Sequence, residues 1–195
     1  MLFLDYVNVF GLFNTTNALI PLIREFKAEK GSLSPKIINV SSIVGKASLI
    51  GAGSYAATKH AVIAITQSYR NELAKTGIDV CCVEPGAVDS SFKSRMTQSY
   101  NKISGETPLE SYYAQAIKKI EEQADAAGAG SPPATCVNTF DEIIHSNTSA
   151  PEYVAGVDAQ IVSFVLSLAA PFMFNSLQRS LFSEYKVPAV EQKTD

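Results

Sequence analysis

Two stretches of the chain, "KIINVSS" at 36–42 and "IDVCCVEPG" at 78–86, set apolar residues side by side, Ile37-Ile38 and Val80 to Val83, rather than at every second position. A strand with one face in water alternates; a strand covered on both faces does not. These runs therefore call for helices on both sides of a sheet, and the chain carries two long helical patterns. Residues 2–29 place Phe3, Tyr6, Val7, Phe10, Phe13, Asn17, Ile20 and Ile23 at spacings of three and four, with Pro21 interrupting the pattern and Gly31 stopping it. Residues 54–76 form the second, with Ser54 as candidate N-cap, Ala61, Val62, Ile65, Tyr69 and Leu73 as the apolar stripe, and Gly77 closing it. Helix, strand, helix, strand with mainly apolar, non-alternating strands predicts an α/β fold on a parallel sheet.

The remainder is less regular. Residues 93–127 are polar and mainly helical, "PLESYYAQAIKKIEEQ" most clearly, and "GAGSPPAT" is a loop. A short helix at about 136–146 precedes "APEYVAGVDAQ", a short last strand. There is no internal repeat and no separating linker, so residues 1–195 are expected to form one domain: a core half over 1–92, then 93–195 with a substrate lid, the last strand and an apolar tail.

At 195 residues and 46% apolar content the chain can bury a core. Sixteen basic against 19 acidic residues leave a net charge of −3 and no basic face for nucleic acid. Cys81, Cys82 and Cys136 show no CxxC spacing and read as structural thiols, which fits a cytosol-facing location. The start, "MLFLDYVNVF", lacks a basic n-region and is a poor signal peptide. The sequons at Asn14, Asn39 and Asn147 read as chance matches, since Asn14 falls in a helix pattern and Asn39 in a strand pattern.

Chemistry enters at "SYAATKH", residues 54–60. Tyr55 and Lys59 share one helix face, which an ordinary solvated helix start would also do. A free phenol, with a pKa of about 10, is too weak a base near neutrality, and a neighbouring ammonium lowers that value. A tyrosine so tuned can pass a proton during alcohol–carbonyl interconversion. Ser42 ends a strand run thirteen residues earlier, where its hydroxyl could hold a substrate oxygen, and Pro85-Gly86 ends the next run. Ligands of open α/β sheets bind beyond the carboxyl ends of the strands, so all three belong to one edge. His60 lies about 100° round the helix from Lys59, and His145 reads as surface.

With "VNVFG" on the first helix, "INVSS" on the strand, "SYAATKHA" on the second helix and "VEPGAVDS" after the next strand, in that order and spacing, the sequence resembles the short-chain dehydrogenase/reductase family, closely over about 1–92. The resemblance implies an NAD- or NADP-dependent oxidoreductase on a partial Rossmann-like, doubly wound parallel sheet with a helical C-terminal lid. It implies Tyr55 as general acid/base, Lys59 lowering its pKa and holding the nicotinamide ribose, and Ser42 on the reacting oxygen. It further implies Asn8 anchoring a water that leads to Lys59, and Pro85, Gly86 and Val88 packing on the nicotinamide, with the Val88 backbone facing the carboxamide. Ser90 stands where the family usually has threonine.

The family's Thr-Gly-x-x-x-Gly-x-Gly turn and its Asn-Asn-Ala-Gly segment do not occur in these residues. About three of the family's usual seven strands are therefore expected, and the 36–42 strand is expected to present an apolar edge. Without the pyrophosphate site, hydride transfer by this chain alone is not expected. Either the sequence is part of an active enzyme or it is a non-catalytic partner, pairing as a homo- or heterodimer through helices 2–29 and 54–76 as the family commonly does.

"VEPG", "YVAGVDAQ" and the apolar tail are similar to the branch that handles retinol, hydroxysteroids and related hydrophobic alcohols, with Tyr100, Tyr112 and Tyr113 in the substrate region. Residues 159–178 carry no charge, but Gln160, Ser163, Ser167, Asn175, Ser176 and Pro171 argue against a membrane span. A hydrophobic lid or membrane-surface helix pair, a helix packed on the core, and a lipid-binding module all fit this stretch.

Overall fold

The structure, a computed structural model, describes residues 5–25, 33–49, 52–91 and 130–168, with single positions at 114, 115, 118, 122 and 180. Among them are three strands: β1 (Lys36–Val40), β2 (Asp79–Pro85) and β3 (Glu152–Ala155). They form one parallel sheet in the order β1-β2-β3. Lys36 faces Asp79 and Val40 faces Val83 across one pairing; Cys82 faces Glu152 and Pro85 faces Ala155 across the other.

The β2 run is covered on both faces, whereas β1 lies at the edge of the sheet and is only half-buried, with Val40 42% exposed. The described helices are α1 (Leu12–Glu25), α2 (Gly53–Glu72), α3 (Pro133–His145) and α4 (Val157–Leu168). Val80 packs with Tyr69 of α2, with Leu73 at its C-cap and with Ile20 and Ile23 of α1, and Cys82 packs with Val62 and Ile63 of α2. The alternate residues Cys81 and Val83 turn the other way, onto Ile143, Cys136 and Phe140 of α3. The chain is thus doubly wound about β2, and the three cysteines are free thiols, Cys81 and Cys82 fully in the core. Burial pushes the Cys82 thiol up to about 11, with Glu84 adding to it, so this thiol stays protonated and inert near neutrality.

The first helix departs from the expected uniform pattern. Residues Tyr6–Gly11 form a π-helix that runs directly into α1. A π turn takes in one residue more than an α turn, so it rotates every downstream face. The apolar stripe therefore splits. Thr16, Ile20 and Ile23 face the core, while Tyr6, Val7, Phe10 and Phe13 are 67, 54, 52 and 44% exposed. Pro21 lies inside α1. The expected helices over 93–127, the tyrosines at 100, 112 and 113, and the tail beyond 168 lie essentially outside the described residues, while α3 begins at Pro133, inside the expected loop "GAGSPPAT" and ahead of the expected start at about 136, because a proline fits the first turn of a helix.

Candidate active site

α2 begins at Gly53, with Ala52 rather than Ser54 at the N-cap position and no side-chain cap, so the expected Ser54 cap is not formed. Ser54 falls within the first turn, where Tyr55 and Lys59 then stack one above the other. The Lys59 ammonium lies over the Tyr55 ring, 5.6 Å from its centroid, and donates to the Val40 carbonyl at the end of β1 at 3.1 Å.

The electrostatics run opposite to the sequence expectation. Burial pushes the Tyr55 phenol above its ordinary value, while a hydrogen bond with the Ser42 side chain pulls it down. Burial likewise pushes Lys59 down, with the Cys82 thiol opposing that shift. An ammonium anchored on a carbonyl and set over the ring face does not offset the desolvation of the phenol, so the expected lowering of Tyr55 by Lys59 is not what this geometry produces.

Ser42 follows β1 in an extended conformation and caps the 3₁₀ turn Ile43–Gly45. Its hydroxyl accepts from the Val44 N–H and donates to the Pro85 carbonyl, both at 3.3 Å. The next link was not legible in the sequence: Ser41 Oγ donates to the Lys59 carbonyl at 2.8 Å. A Cβ on Gly45 would lie 2.9 Å from that same carbonyl, so the serine turn is pressed directly onto the turn of α2 that carries Lys59.

Asn8 sits in the π segment. Its Nδ2 donates to Thr58 Oγ1 at 3.1 Å, and Thr58 donates to the Tyr55 carbonyl at 2.8 Å. π segments inside α-helices recur at functional sites, and this one brings the asparagine to the turn that carries Tyr55. A cleft of about 340 Å³ along β1 is lined by Asn8, Thr16, Asn39, Val40 and Lys59, among others, but not by Tyr55, Ser42 or Pro85. A larger apolar hollow lies at the other end of β1, around Leu22, Leu33, Pro35 and Ile144, and contains none of the candidate residues.

Pro85 closes β2, and the Gly86 N–H donates to the Ala155 carbonyl at 2.9 Å. Asp158, in the first turn of α4, accepts from the Ala87 N–H at 2.6 Å. A Cβ on Gly86 would sit 2.2–2.5 Å from the Asp158 carboxylate, so a side chain there has to displace that carboxylate. Val88 forms an isolated parallel bridge with Ser131. The bonds of that bridge use the Ala87 carbonyl (2.8 Å) and the Asp89 N–H (3.0 Å). In extended backbone this leaves the Val88 N–H and carbonyl directed away from Ser131. Ser90 lies in the exposed bend that follows. Asp158 was missed in the sequence; its only signal was an acid just after the glycine of "YVAGVD".

His60 is exposed and contacts the Ala56 carbonyl, and His145 pairs with Asp141 on the exposed face of α3. Ser42, Tyr55, Lys59 and the Pro85–Val88 turn therefore meet beyond the carboxyl ends of β1 and β2, with Asn8 behind Lys59. The set offers a phenol to move a proton, a hydroxyl to orient an oxygen, an ammonium, and a rigid backbone turn.

Comparison with known proteins bears on the family and the fold. The sequence profile of the short chain dehydrogenase family matches residues 5–101, about half the chain. Retinol dehydrogenase 16 of Mus musculus is 28% identical over 184 residues, covering 88% of this chain and 54% of the relative. A short-chain dehydrogenase structure from Streptomyces avermitilis superposes with a TM-score of 0.62 at 24% identity, over 92% of this chain and 60% of that one. A short chain dehydrogenase from Burkholderia cenocepacia, in complex with NADP, gives 0.60 at 22% identity, over 88% and 57%. Both structural likenesses bear on the fold alone, and the chain spans about half the length of the relatives it matches. The chain belongs to the short-chain dehydrogenase/reductase family.

Proposed function

We propose that these residues are the catalytic half of a nicotinamide-dependent oxidoreductase that interconverts a hydrophobic alcohol, of the retinol or hydroxysteroid class, and its carbonyl compound. The observation that carries this reading is the hydrogen bonding of the Ser42 side chain with the Tyr55 phenol beside the Lys59 ammonium. Ser42 orients the reacting oxygen and Tyr55 gives or takes its proton. Lys59, Val88 and Ser90 are the residues that would hold the nicotinamide end of NAD or NADP. A carboxamide needs both a donor and an acceptor, and the outward N–H and carbonyl of Val88 are one of each. A bound nicotinamide would accept the hydride from the alcohol carbon in oxidation and return it to the carbonyl carbon in reduction. The similarity to a retinol dehydrogenase supports a hydrophobic alcohol as substrate class.

No Gly-rich pyrophosphate turn occurs in the 195 residues. The test therefore compares the chain alone with the chain joined behind the Gly-rich segment of a retinol dehydrogenase relative. Calorimetry of the chain alone is expected to show NAD(H) and NADP(H) binding no tighter than about millimolar; tight binding would overturn the division of labour. The joined protein is expected to reduce the nicotinamide when given retinol or a hydroxysteroid. A folded, cofactor-binding product that turns over neither would overturn the function.

The exposed Tyr6, Val7, Phe10 and Phe13 favour a second reading, a chain that pairs with another family member through its two long helices. Phe13 already stacks on Tyr69 of α2, at 5.8 Å between centroids, so the exposed residues continue a formed helix pair. Association with a full-length family member that is lost in Phe10→Asp supports it, and a monodisperse monomer counts against it. Among the described residues no helix is long and apolar enough to cross a membrane.

A further inference from the structure

One buried charge near the site has no part in the chemistry above. Glu84, immediately before Pro85, has a side chain with 0% exposure. The alternation of β2 turns it to the face that α2 covers. Lys46, which follows the serine turn, brings its ammonium to 2.8 Å from Glu84 Oε2 and donates to Glu152 Oε2 of β3 at 2.7 Å. Glu152 Oε1 in turn accepts from Gln67 Nε2 of α2 at 3.2 Å. Neither Glu84 oxygen has an aligned hydrogen bond, so the carboxylate depends on the closeness of the ammonium.

The charges respond as a coupled set. Burial pushes Glu84 up and Lys46 restrains it. For Lys46, burial works to lower it, but the bond to Glu152 and then the Glu84 carboxylate hold it above its ordinary value. For stability alone, well-packed apolar side chains would serve here as well or better, because desolvating ions offsets their attraction. What the ions add is fixed geometry.

We propose that Lys46, Glu84, Glu152 and Gln67 form a positioning network that sets Ser42 and the Pro85–Gly86 turn against Tyr55. The links are short. Ser42 lies four residues before Lys46, and its partner Pro85 lies next to Glu84, so the serine turn and the end of β2 are joined twice, at 3.3 Å and 2.8 Å. Glu152 carries the tie to β3, whose last carbonyl receives the Gly86 N–H. Gln67 carries it to the helix of Tyr55 and Lys59. None of the four touches the reacting atoms. The functional meaning rests on Tyr55 as acid/base, but the geometric claim does not.

The test is NMR of the chain with ¹³C-labelled tyrosine, reading the Tyr55 Cζ resonance, which senses hydrogen bonding to the phenol oxygen, and amide exchange at Gly86. Lys46→Met is expected to move the Tyr55 resonance and to speed Gly86 exchange by about tenfold beyond what its loss of global stability accounts for. Ile78→Ala hollows the core at a buried residue of the cluster around Tyr69 and Leu73, at the opposite end of β2 from the network. It is expected to leave the Tyr55 resonance in place, with Gly86 exchange following global stability alone. If Lys46→Met does not fold, the double variant Lys46→Met/Glu84→Leu leaves no lone buried charge and carries the same expectation. A Tyr55 resonance unmoved in either variant, with Gly86 tracking global stability as in Ile78→Ala, would reduce the network to a structural role and overturn the proposal. Because neither readout needs turnover, an inactive enzyme does not decide it.

Discussion

Tyr55→Phe is expected to slow both alcohol oxidation and carbonyl reduction by about 10²–10⁴-fold while leaving the fold intact, the usual range for loss of a positioned acid/base. The ring stays, so its packing and the ammonium over its face at 5.6 Å stay as well. Ser42 keeps the Pro85 carbonyl as a partner. Only the ionisable oxygen goes. The pH dependence follows from the direction of the Tyr55 shift. Burial raises the phenol, so at neutral pH the group is protonated and ready to donate to a carbonyl oxygen. Oxidation needs the phenolate, so its rate should climb about tenfold per pH unit until the raised value is passed. Reduction uses the phenol and should be flat through neutrality, falling only on the alkaline side of the same value. Initial rates in both directions across pH, followed by nicotinamide absorbance in the joined protein, measure this. A phenylalanine variant that keeps more than about a tenth of either rate would remove Tyr55 from the chemistry.

What sequence reasoning reached and what it missed divide along physical lines. The sheet was legible because residues buried on both faces leave an unbroken apolar run, and Val80 to Val83 is such a run. The order of Ser42, Tyr55, Lys59 and Pro85-Gly86 was legible because each sits at a fixed offset from a strand end or a helix start. The π segment was not, since residue types at Tyr6–Gly11 do not reveal whether hydrogen bonds close at four or five residues. Its effect, exposing Phe10 and Phe13 while burying Thr16, followed from that hidden shift. The direction of the Tyr55 shift was misjudged because spacing reports a neighbouring cation but not how much water the fold removes. Glu84 stood out only as part of a family-like string. Its partner Lys46 and their link to Glu152, 106 residues from Lys46, arise from strand order alone. Asp158 reaches Ala87 across 71 residues for the same reason.

That last contact makes Gly86→Ala the second informative change, with an expected loss of about 1–3 kcal/mol of stability. The new Cβ would stand 2.2 Å from Asp158 Oδ2 and 2.5 Å from its Cγ. The carboxylate is near the surface and can swing aside, so the clash itself need not persist. Swinging aside has two consequences. The Ala87 N–H loses the acceptor it holds at 2.6 Å, and α4 loses the acid in its first turn. The first costs about 1–3 kcal/mol and the second about 0.3–1 kcal/mol, while the stiffer unfolded chain returns about 0.4–1 kcal/mol. The alternative, a displaced turn, moves Val88 and with it the backbone proposed to meet the nicotinamide. Urea unfolding separates these causes through the double variant. Asp158→Ala removes both the acceptor and the obstruction, so adding Gly86→Ala to it should be close to neutral, giving a coupling of about the size of the Gly86→Ala loss itself. Additive losses would mean that Asp158 is not what forbids a side chain at residue 86. If the coupling is found and nicotinamide affinity also falls in Gly86→Ala but recovers in the double variant, the Asp158 carboxylate is what holds the Pro85–Val88 turn in its cofactor-facing shape.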